Sequence, residues 1–348
     1  MITPSPPGVD ALILALPETA GSALYGMVDV LAATGTLWRE LVGEKPGHRL
    51  IHPRIVSTGP EPFSCGNGIP VTPALTLDQA DRPDIIILPE LWLAPTDDMR
   101  DRYAEVKEWI RHCYRGGSTV YTACSGSVLL AATGPLDGRE ATSHWGYQDL
   151  FRNSFPAVRF DPKPALVVAD AHGRIVTAGG TTSWHDLALH IIARHCSPGE
   201  ALRIAKVYLL KWHGEGQLPF TSLVRRQPHA DAAVRRTEEW LAEHYREPHA
   251  VAAVVDACGI PERSLKRRFK VATGSTLMAY VQGLRIEEAK RLLENERLAA
   301  DEIAALVGYD NPAFFRRLFK RSTGLTPGGY RRMFRPIADS ADRPEKNR

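Results

Sequence analysis

The tightest constraint on this chain lies near its C-terminus, where one segment is written twice. "CGIPERSLKRRFKVATGSTLMAY" (258–280) returns fifty residues later as "VGYDNPAFFRRLFKRSTGLTPGGY" (307–330). Phe269, Lys270, Thr273, Gly274, Thr276 and Tyr280 recur as Phe319, Lys320, Thr323, Gly324, Thr326 and Tyr330, and Gly259 recurs as Gly308 with a one-residue slip. Two copies are too few to stack as a solenoid, so the repeat predicts a duplicated helical unit. Each copy has helix-turn-helix spacing. In the second, "ADEIAALV" reads as a short helix whose acidic start suits the positive end of its dipole. Gly308 stops it, Asn311 caps the next helix, and Pro312 fits that helix's first position. Phe315 and Phe319 then fall on one face at i, i+4, and Phe314 and Leu318 extend the apolar stripe. Core packing is therefore expected of Phe314. Ala313, Arg316, Arg317 and Lys320 are left facing outward. In the first copy Pro261 opens the helix, Leu265 and Phe269 form the stripe, and Arg263, Lys266, Arg267 and Lys270 face out.

A helix with one apolar stripe and clustered Arg and Lys opposite fits the major groove of DNA. Arginine pairs bidentately with guanine edges, and both basic types pair with phosphates. Two such helices about one DNA turn (~34 Å) apart would read adjacent groove segments on one face of the duplex. The charge distribution agrees. The 348 residues carry a net charge of +3, yet residues 225–335 hold 21 Lys/Arg against 14 Asp/Glu, and the remainder holds 22 against 26. A basic C-terminal part beside a mildly acidic N-terminal part predicts a polyanion partner for one domain only.

Residues from about 233 to 335 resemble the AraC/XylS DNA-binding domain through "CGIPERSLKRRFKVATG", "YVQGLRIEEAKRLLEN", "ADEIAALVGYDNPAFFRRLFKRSTGLTP" and "GGYRRMF". The resemblance implies two helix-turn-helix units joined by a rigid central helix, "LMAYVQGLRIEEAKRLLEN". It places Arg263, Lys266 and Arg267 of the first unit toward DNA, with Asn311, Ala313, Arg316 and Arg317 of the second. It also implies promoter DNA as partner, RNA polymerase alongside it, and a homodimer.

The first two-thirds of the chain read differently, as strand and helix in alternation. "ALILAL" (11–16), "HRLIHPRIVS" (48–57), the Ile-rich "DIIILP" (84–89), "STVYTA", "ALVVAD" and "RIVTAGG" read as strands. "LYGMVDVLAATGTLW" (24–38), "MRDRYAEVKEWIRHCYRGG" (99–117), "GSVLLAATG" and "SWHDLALHIIARHC" (183–196) read as helices. This predicts an α/β domain, flavodoxin-like, with a mostly parallel sheet covered by helices on both faces. It is followed by an all-α domain. The expected boundaries are 9–213 for the first domain, 214–231 for a Gly- and Pro-rich linker, 232–335 for the DNA-binding domain and 336–348 for a disordered tail.

Five cysteines with no C-x-x-C pair argue against a disulfide framework and against structural zinc. No metal or cofactor is expected. The start "MITPSPPGVD" lacks the basic and apolar regions of a signal peptide, and no run of about 18 apolar residues is present. A cytoplasmic protein without a membrane partner is the expectation.

One cysteine has chemistry built around it. "TACSGS" (122–127) puts Cys124 between a strand and a helix, flanked by small residues. A sharp strand-to-helix turn holds its central side chain in the crevice at the strand's carboxyl end. Amides at the start of the new helix favour an anion and lower a thiol's pKa. The other four cysteines, Cys65, Cys113, Cys196 and Cys258, read as buried structural thiols.

The carriers "DIIILP", "YTACSGSVLLAATGPLDGREATSHW" and "IVTAGGTTSWHDLALHII" resemble the class I glutamine amidotransferase-like superfamily in its PfpI-type branch. That domain ahead of an AraC-type domain is the arrangement of the GlxA-like regulators. The resemblance implies that His144 lies beside Cys124, the minimal pair for an activated thiolate. Two departures weaken catalysis. Members that are active or redox-responsive carry a glutamate at the start of the first helix; Ala23 or its neighbours stand there, and Glu18 falls too early. The loop after "DIIILP" usually holds glycines whose amides serve as oxyanion donors; here it reads "PELW". A carboxylate from Glu90 aimed at that space repels a developing oxyanion. Glu90 and the aromatic faces of Trp92, Trp145 and Trp184 would instead suit a small cation. Cys124 and His144 thus become a vestigial pair, and Cys124, Ser125, His144, Trp145, Glu90 and Trp92 line a pocket for a small-molecule effector, an amino acid or a quaternary amine. The expectation is a regulator, not an enzyme. The alternatives are a Cys-dependent hydrolase of amidase or peptidase type, or a redox sensor, tethered to DNA.

Overall fold

A computed structural model describes residues 8–45, 47–224 and 229–341. The chain divides into two compact units, Met1–Gln217 and Leu218–Arg348.

Among the described residues the main sheet of the first unit has seven strands: β1 (Val9–Leu14), β2 (Ile51–Ser57), β3 (Leu75–Thr76), β4 (Ile85–Leu88), β5 (Thr119–Ala123), β6 (Leu166–Val168) and β7 (Ile175–Ala178). Their spatial order is β6-β7-β5-β4-β1-β2-β3, parallel except for the β6–β7 edge pair. Among its described residues this unit has seven α-helices: α1 (Gly21–Ala32), α2 (Leu37–Leu41), α3 (Ala104–Gly116), α4 (Gly126–Thr133), α5 (Gln148–Ser154), α6 (Trp184–His195) and α7 (Pro198–Tyr208). Side chains alternate across a strand, so β1 feeds two cores. Ala11 and Ile13 pack with α1, α6 and α7 on one face, and Leu12 and Leu14 pack with α3, α4 and α5 on the other. This is why the strands read as continuous apolar runs rather than alternating ones. The fold is the expected α/β architecture with both sheet faces covered.

Two helices are shorter than the apolar spacing predicts. The 24–38 segment breaks at Gly35, which takes a left-handed φ of +79°; an added Cβ there would sit 2.2 Å from the His48 carbonyl oxygen. The 99–117 segment turns helical only at Ala104. Before it, Arg102 donates to Glu18 Oε1 (2.7 Å) and pairs with Asp97, holding the chain in an irregular loop.

The second unit holds α8 (Ala232–His244), α9 (Ala250–Cys258), α10 (Glu262–Thr273), α11 (Leu277–Asn295), α12 (Ala300–Leu306), α13 (Pro312–Thr323) and α14 (Pro327–Ala341). The duplicated sequence folds as two helix-turn-helix units, α9–α10 and α12–α13. Gly259 and Gly308 take the left-handed turn (φ +63° and +90°), and Asn311 caps α13 by accepting from Phe314 N at 3.0 Å. The long helix α11 serves both cores. Leu277, Tyr280 and Val281 pack with Leu265 and Phe269 of the first unit, and Ile286, Ala289, Leu292 and Leu293 pack with Phe315 and Phe319 of the second. Between these halves sits Arg285. Its guanidinium donates to the carbonyls of Tyr245 (2.7 Å), Glu247 (2.9 Å) and Gly308 (2.7 Å), binding the end of α8 to the turn before α13.

The stretch expected as linker is largely taken up by the two units. Gln217 is packed into the first, with 4% of its surface exposed. In the second, Thr221 O accepts from Lys290 Nζ at 2.7 Å, and Leu223 N donates to Glu287 at 2.7 Å. Gly and Pro content signals irregular backbone, which is not the same as slack. Part of the expected disordered tail is also ordered, since α14 continues to Ala341. Tyr330 and Phe334 anchor its preceding turns against Phe319 and Phe220, with ring centroids 5.5 and 5.4 Å apart. Residues 342–348 lie outside the described residues.

Arg285 makes three charge-assisted bonds, so Arg285→Ala should weaken the second unit by about 2–3 kcal/mol. Amide hydrogen exchange in α9 and α12 is expected to quicken by roughly 30- to 150-fold. Unchanged protection there would show that apolar packing alone sets the arrangement.

Candidate effector site and DNA-reading helices

The crevice at the carboxyl ends of β1, β4, β5 and β7 is the topological switch point of the sheet, where such folds hold ligands. Cys124 sits there directly after β5 with φ +53°, the strained left-handed geometry of an elbow. Its neighbour Gly126 explains the small residues around it. An added Cβ at Gly126 would lie 2.2 Å from the Leu88 carbonyl oxygen, so the turn can pass the end of β4 only without a side chain.

The thiol of Cys124 is 2% exposed and donates to Glu90 Oε1 at 3.5 Å. Burial pushes its pKa well above the usual thiol range, and the neighbouring carboxylate pushes it further. Glu90 is itself raised by burial, opposed by hydrogen bonds from Thr181 (2.9 Å) and Cys124. Its Oε2 is buried without a hydrogen-bond partner. The carboxylate missing from the first helix is thus supplied beside the cysteine by a different loop. Glu18 points elsewhere, to Arg102 and to Tyr103 Oη at 2.7 Å.

Two amides of the loop over the elbow are engaged. Leu91 N donates to Ser125 Oγ (2.7 Å), and Trp92 N donates to Glu18 O (2.7 Å). Ser125 Oγ also donates to Leu91 O, so this fully buried serine fastens the loop to the elbow and has no face toward a ligand. His144 Nδ1 accepts from Gly146 N at 2.9 Å, and its ring lies 4.9 Å from the half-buried Trp145. Trp92 is not brought into the crevice. It is 60% exposed, its amide pinned to Glu18 and its indole resting against Gly66. Trp184 belongs to a separate cleft of about 540 Å³ with His185, Tyr208 and His213. Cys65 and Cys113 are buried as expected, whereas Cys196 and Cys258 are only half-buried at helix ends.

Three residues in this crevice escape sequence reasoning. Ser143 Oγ donates to Cys124 O at 2.7 Å, and Thr181 holds Glu90. Gln217 reaches both of their loops. Its Oε1 accepts from Gly180 N (2.8 Å) and Trp145 N (3.3 Å), and its Nε2 donates to Ser143 O (3.0 Å) and Pro164 O (3.1 Å). The Gly-Gly-Thr after β7 was a legible signal for Thr181. Gln217 left none, because its partners are mostly backbone atoms.

In the second unit α10 and α13 present the expected residues to solvent. Arg263, Lys266, Arg267 and Lys270 are exposed on α10, and Ala313, Arg316, Arg317 and Lys320 on α13. They are not equally available. Lys266 pairs with Glu262 (2.5 Å) and Arg316 with Asp301, whereas Arg263, Arg267 and Arg317 carry no ion pair among the described residues. Phe314 departs from expectation. The stripe of α13 closes on Phe315, Leu318 and Phe319, which are buried, and Phe314 is 40% exposed with its ring centroid 5.8 Å from that of Tyr309.

Comparison with known proteins places both units. The DJ-1/PfpI family profile matches residues 27–194, and a helix-turn-helix domain profile matches residues 254–333. The chain is 27% identical over 296 residues to the HTH-type transcriptional regulator CdhR of Pseudomonas aeruginosa, covering 83% of this chain and 84% of that one. It is 30% identical over 224 residues to the HTH-type transcriptional regulator GlxA of Rhizobium meliloti, covering 64% and 68%. A third relative, the HTH-type transcriptional regulator GbdR of Pseudomonas aeruginosa, is 22% identical over 319 residues, covering 89% and 83%. No helix among the described residues is long and apolar enough to cross a membrane. With the elbow crevice in one unit and two helix-turn-helix motifs in the other, the chain belongs to the GlxA-like transcriptional regulators, DNA-binding proteins in which a ligand-sensing DJ-1/PfpI domain precedes an AraC-type domain.

Proposed function

We propose that this regulator senses a small cationic effector at Glu90 without chemically transforming it, and reads promoter DNA as a homodimer through α10 and α13. The observation that carries the reading is the carboxyl of Glu90 against a buried, neutral Cys124 thiol. A nucleophile needs a thiolate, and here burial and a neighbouring acid both oppose one. Two of the loop amides, Leu91 N and Trp92 N, are already hydrogen-bonded. Neither the hydrolase nor the redox-sensor alternative finds support in such a thiol. Glu90 Oε2, buried and unpartnered, favours an ammonium group, as in an amino acid or other amine. An effector must bind two states differently to switch anything. Gln217 supports a route: it bonds both loops around the crevice and is the last residue of its unit. RNA polymerase would then respond to the regulator's placement on the promoter.

Cys124 should resist iodoacetamide through pH 9 in the native chain and react as an ordinary thiol, with a pKa of about 8.5, once unfolded. Peptide mapping by mass spectrometry reads this directly. A native thiolate titrating at or below pH 7 would restore the catalytic and redox readings.

A thermal-shift screen of primary, secondary and quaternary amines should find at least one that raises the melting temperature. Because Glu90 is raised in the free protein, the ionised form that a cation needs gains population as pH rises. Stabilisation should therefore grow from pH 5 to pH 8 and disappear in Glu90→Gln. An effector that binds Glu90→Gln equally well would remove Glu90 from the site.

On DNA, Arg267→Ala and Arg317→Ala should each weaken binding to a selected operator by about 5- to 150-fold and relax preference at one base pair. Gel shifts across a salt series separate this from loss of a phosphate contact. Unchanged affinity in both variants would withdraw the base-contact assignment.

A further inference from the structure

The two recognition helices are copies in sequence frame but not in surface chemistry. Counting back from the matched Phe269 and Phe319, Arg263 corresponds to Ala313, Ser264 to Phe314, Lys266 to Arg316 and Arg267 to Arg317. At the first turn, which enters the groove most deeply in helix-turn-helix docking, α10 therefore offers an arginine and a serine. At the same turn α13 offers an alanine and a phenylalanine. Ser264 is half-buried, while Phe314 is 40% exposed.

The core is complete without Phe314. Phe315, Leu318, Phe319 and Tyr330 already close the interior of the second motif. The position is held out firmly: Phe314 N is fixed by the Asn311 cap at 3.0 Å, and Pro312 sets the turn's entry. Arg316, the other polar residue of this turn, pairs with Asp301 of α12. Arg317, three positions after Phe314 and so beside it on the helix surface, has no ion pair among the described residues. At its first turns α13 thus offers Ala313 and Phe314 beside the guanidinium of Arg317.

Of the groups that base pairs display in the major groove, one is apolar, the 5-methyl of thymine. We infer that Phe314 reads a thymine methyl next to the guanine read by Arg317, so that the half-site of α13 contains an adjacent T and G while that of α10 is set by guanine contacts. This rests on the proposed assignment of α13 as a base-reading helix. It adds a specificity-determining residue where the spacing of apolar residues pointed to the core. The operator is then chemically asymmetric although the protein motif is duplicated.

The test uses the full chain and operators selected from a random duplex library. Each thymine of the α13 half-site is replaced in turn by deoxyuridine, which removes only the methyl. In the native protein one replacement, adjacent to the guanine that Arg317→Ala identifies, should weaken binding by about fourfold, the effect of one buried methyl. Phe314→Ala should bind the thymine and deoxyuridine duplexes equally and retain the preferences of the α10 half-site, which shows that the variant is folded. Phe314→Leu should keep part of the methyl sensitivity. If no thymine is methyl-sensitive in the native protein, or if Phe314→Ala keeps the full ratio, the inference is overturned. If Arg317→Ala changes preference at no position, the assignment of α13 as a base reader falls with it.

Discussion

One helix belongs to two hydrophobic cores, and the DNA-binding unit depends on that sharing. The first half of α11 closes the interior of one helix-turn-helix motif and its second half closes the other. Neither motif has enough apolar surface of its own to be a stable domain. Joined through a common helix, each stabilises the scaffold of the other. Arg285 stands where the two cores meet and binds three carbonyls on elements from both sides. A guanidinium suits this place because its planar fork reaches several acceptors at once, which a lysine ammonium on a flexible stem does not.

In the first unit the corresponding constraint is steric. The elbow after β5 passes so close to the end of β4 that Gly126 admits no Cβ. The same close approach brings the 89–92 loop over Cys124. In an enzyme on this scaffold such a loop can present amides to a reacting carbonyl. Here Ser125 ties the loop down, and a carboxyl occupies the space beside the sulfur. The backbone strain at Cys124 persists, yet the thiol it presents is buried beside a carboxyl, and both raise its pKa.

Much of this was legible in the sequence, and the failures have common causes. Apolar runs located every main-sheet strand but the two-residue β3, and the fifty-residue repeat located both helix-turn-helix motifs with their caps, because those signals come from local periodicity. Helix ends at Gly35 and Tyr103 were missed, since they depend on the distant His48 carbonyl and on Arg102 reaching Glu18 and Asp97. Gln217 read as linker because composition reports the company a residue keeps along the chain, not the backbone atoms its side chain reaches. Phe314 was placed in the core by a helical wheel that cannot say when the interior is already full. In the candidate site, Glu90 was visible as an intruder in a loop, while its contact with the thiol needed three dimensions.

The continuity of α11 also limits how this regulator and its operators can change together. An α-helix advances about 1.5 Å and turns about 100° per residue. One residue inserted between the two halves of α11 would swing the second helix-turn-helix motif by more than a quarter turn relative to the first. Seven residues make nearly two whole turns and would return that motif to almost the same face about 10.5 Å farther on. Over that distance, about three base pairs, the major groove itself turns by roughly 100°, so the displaced motif would no longer face it. The length of α11 therefore holds the two half-sites to one separation, and any insertion would also have to replace the clamp that Arg285 now provides.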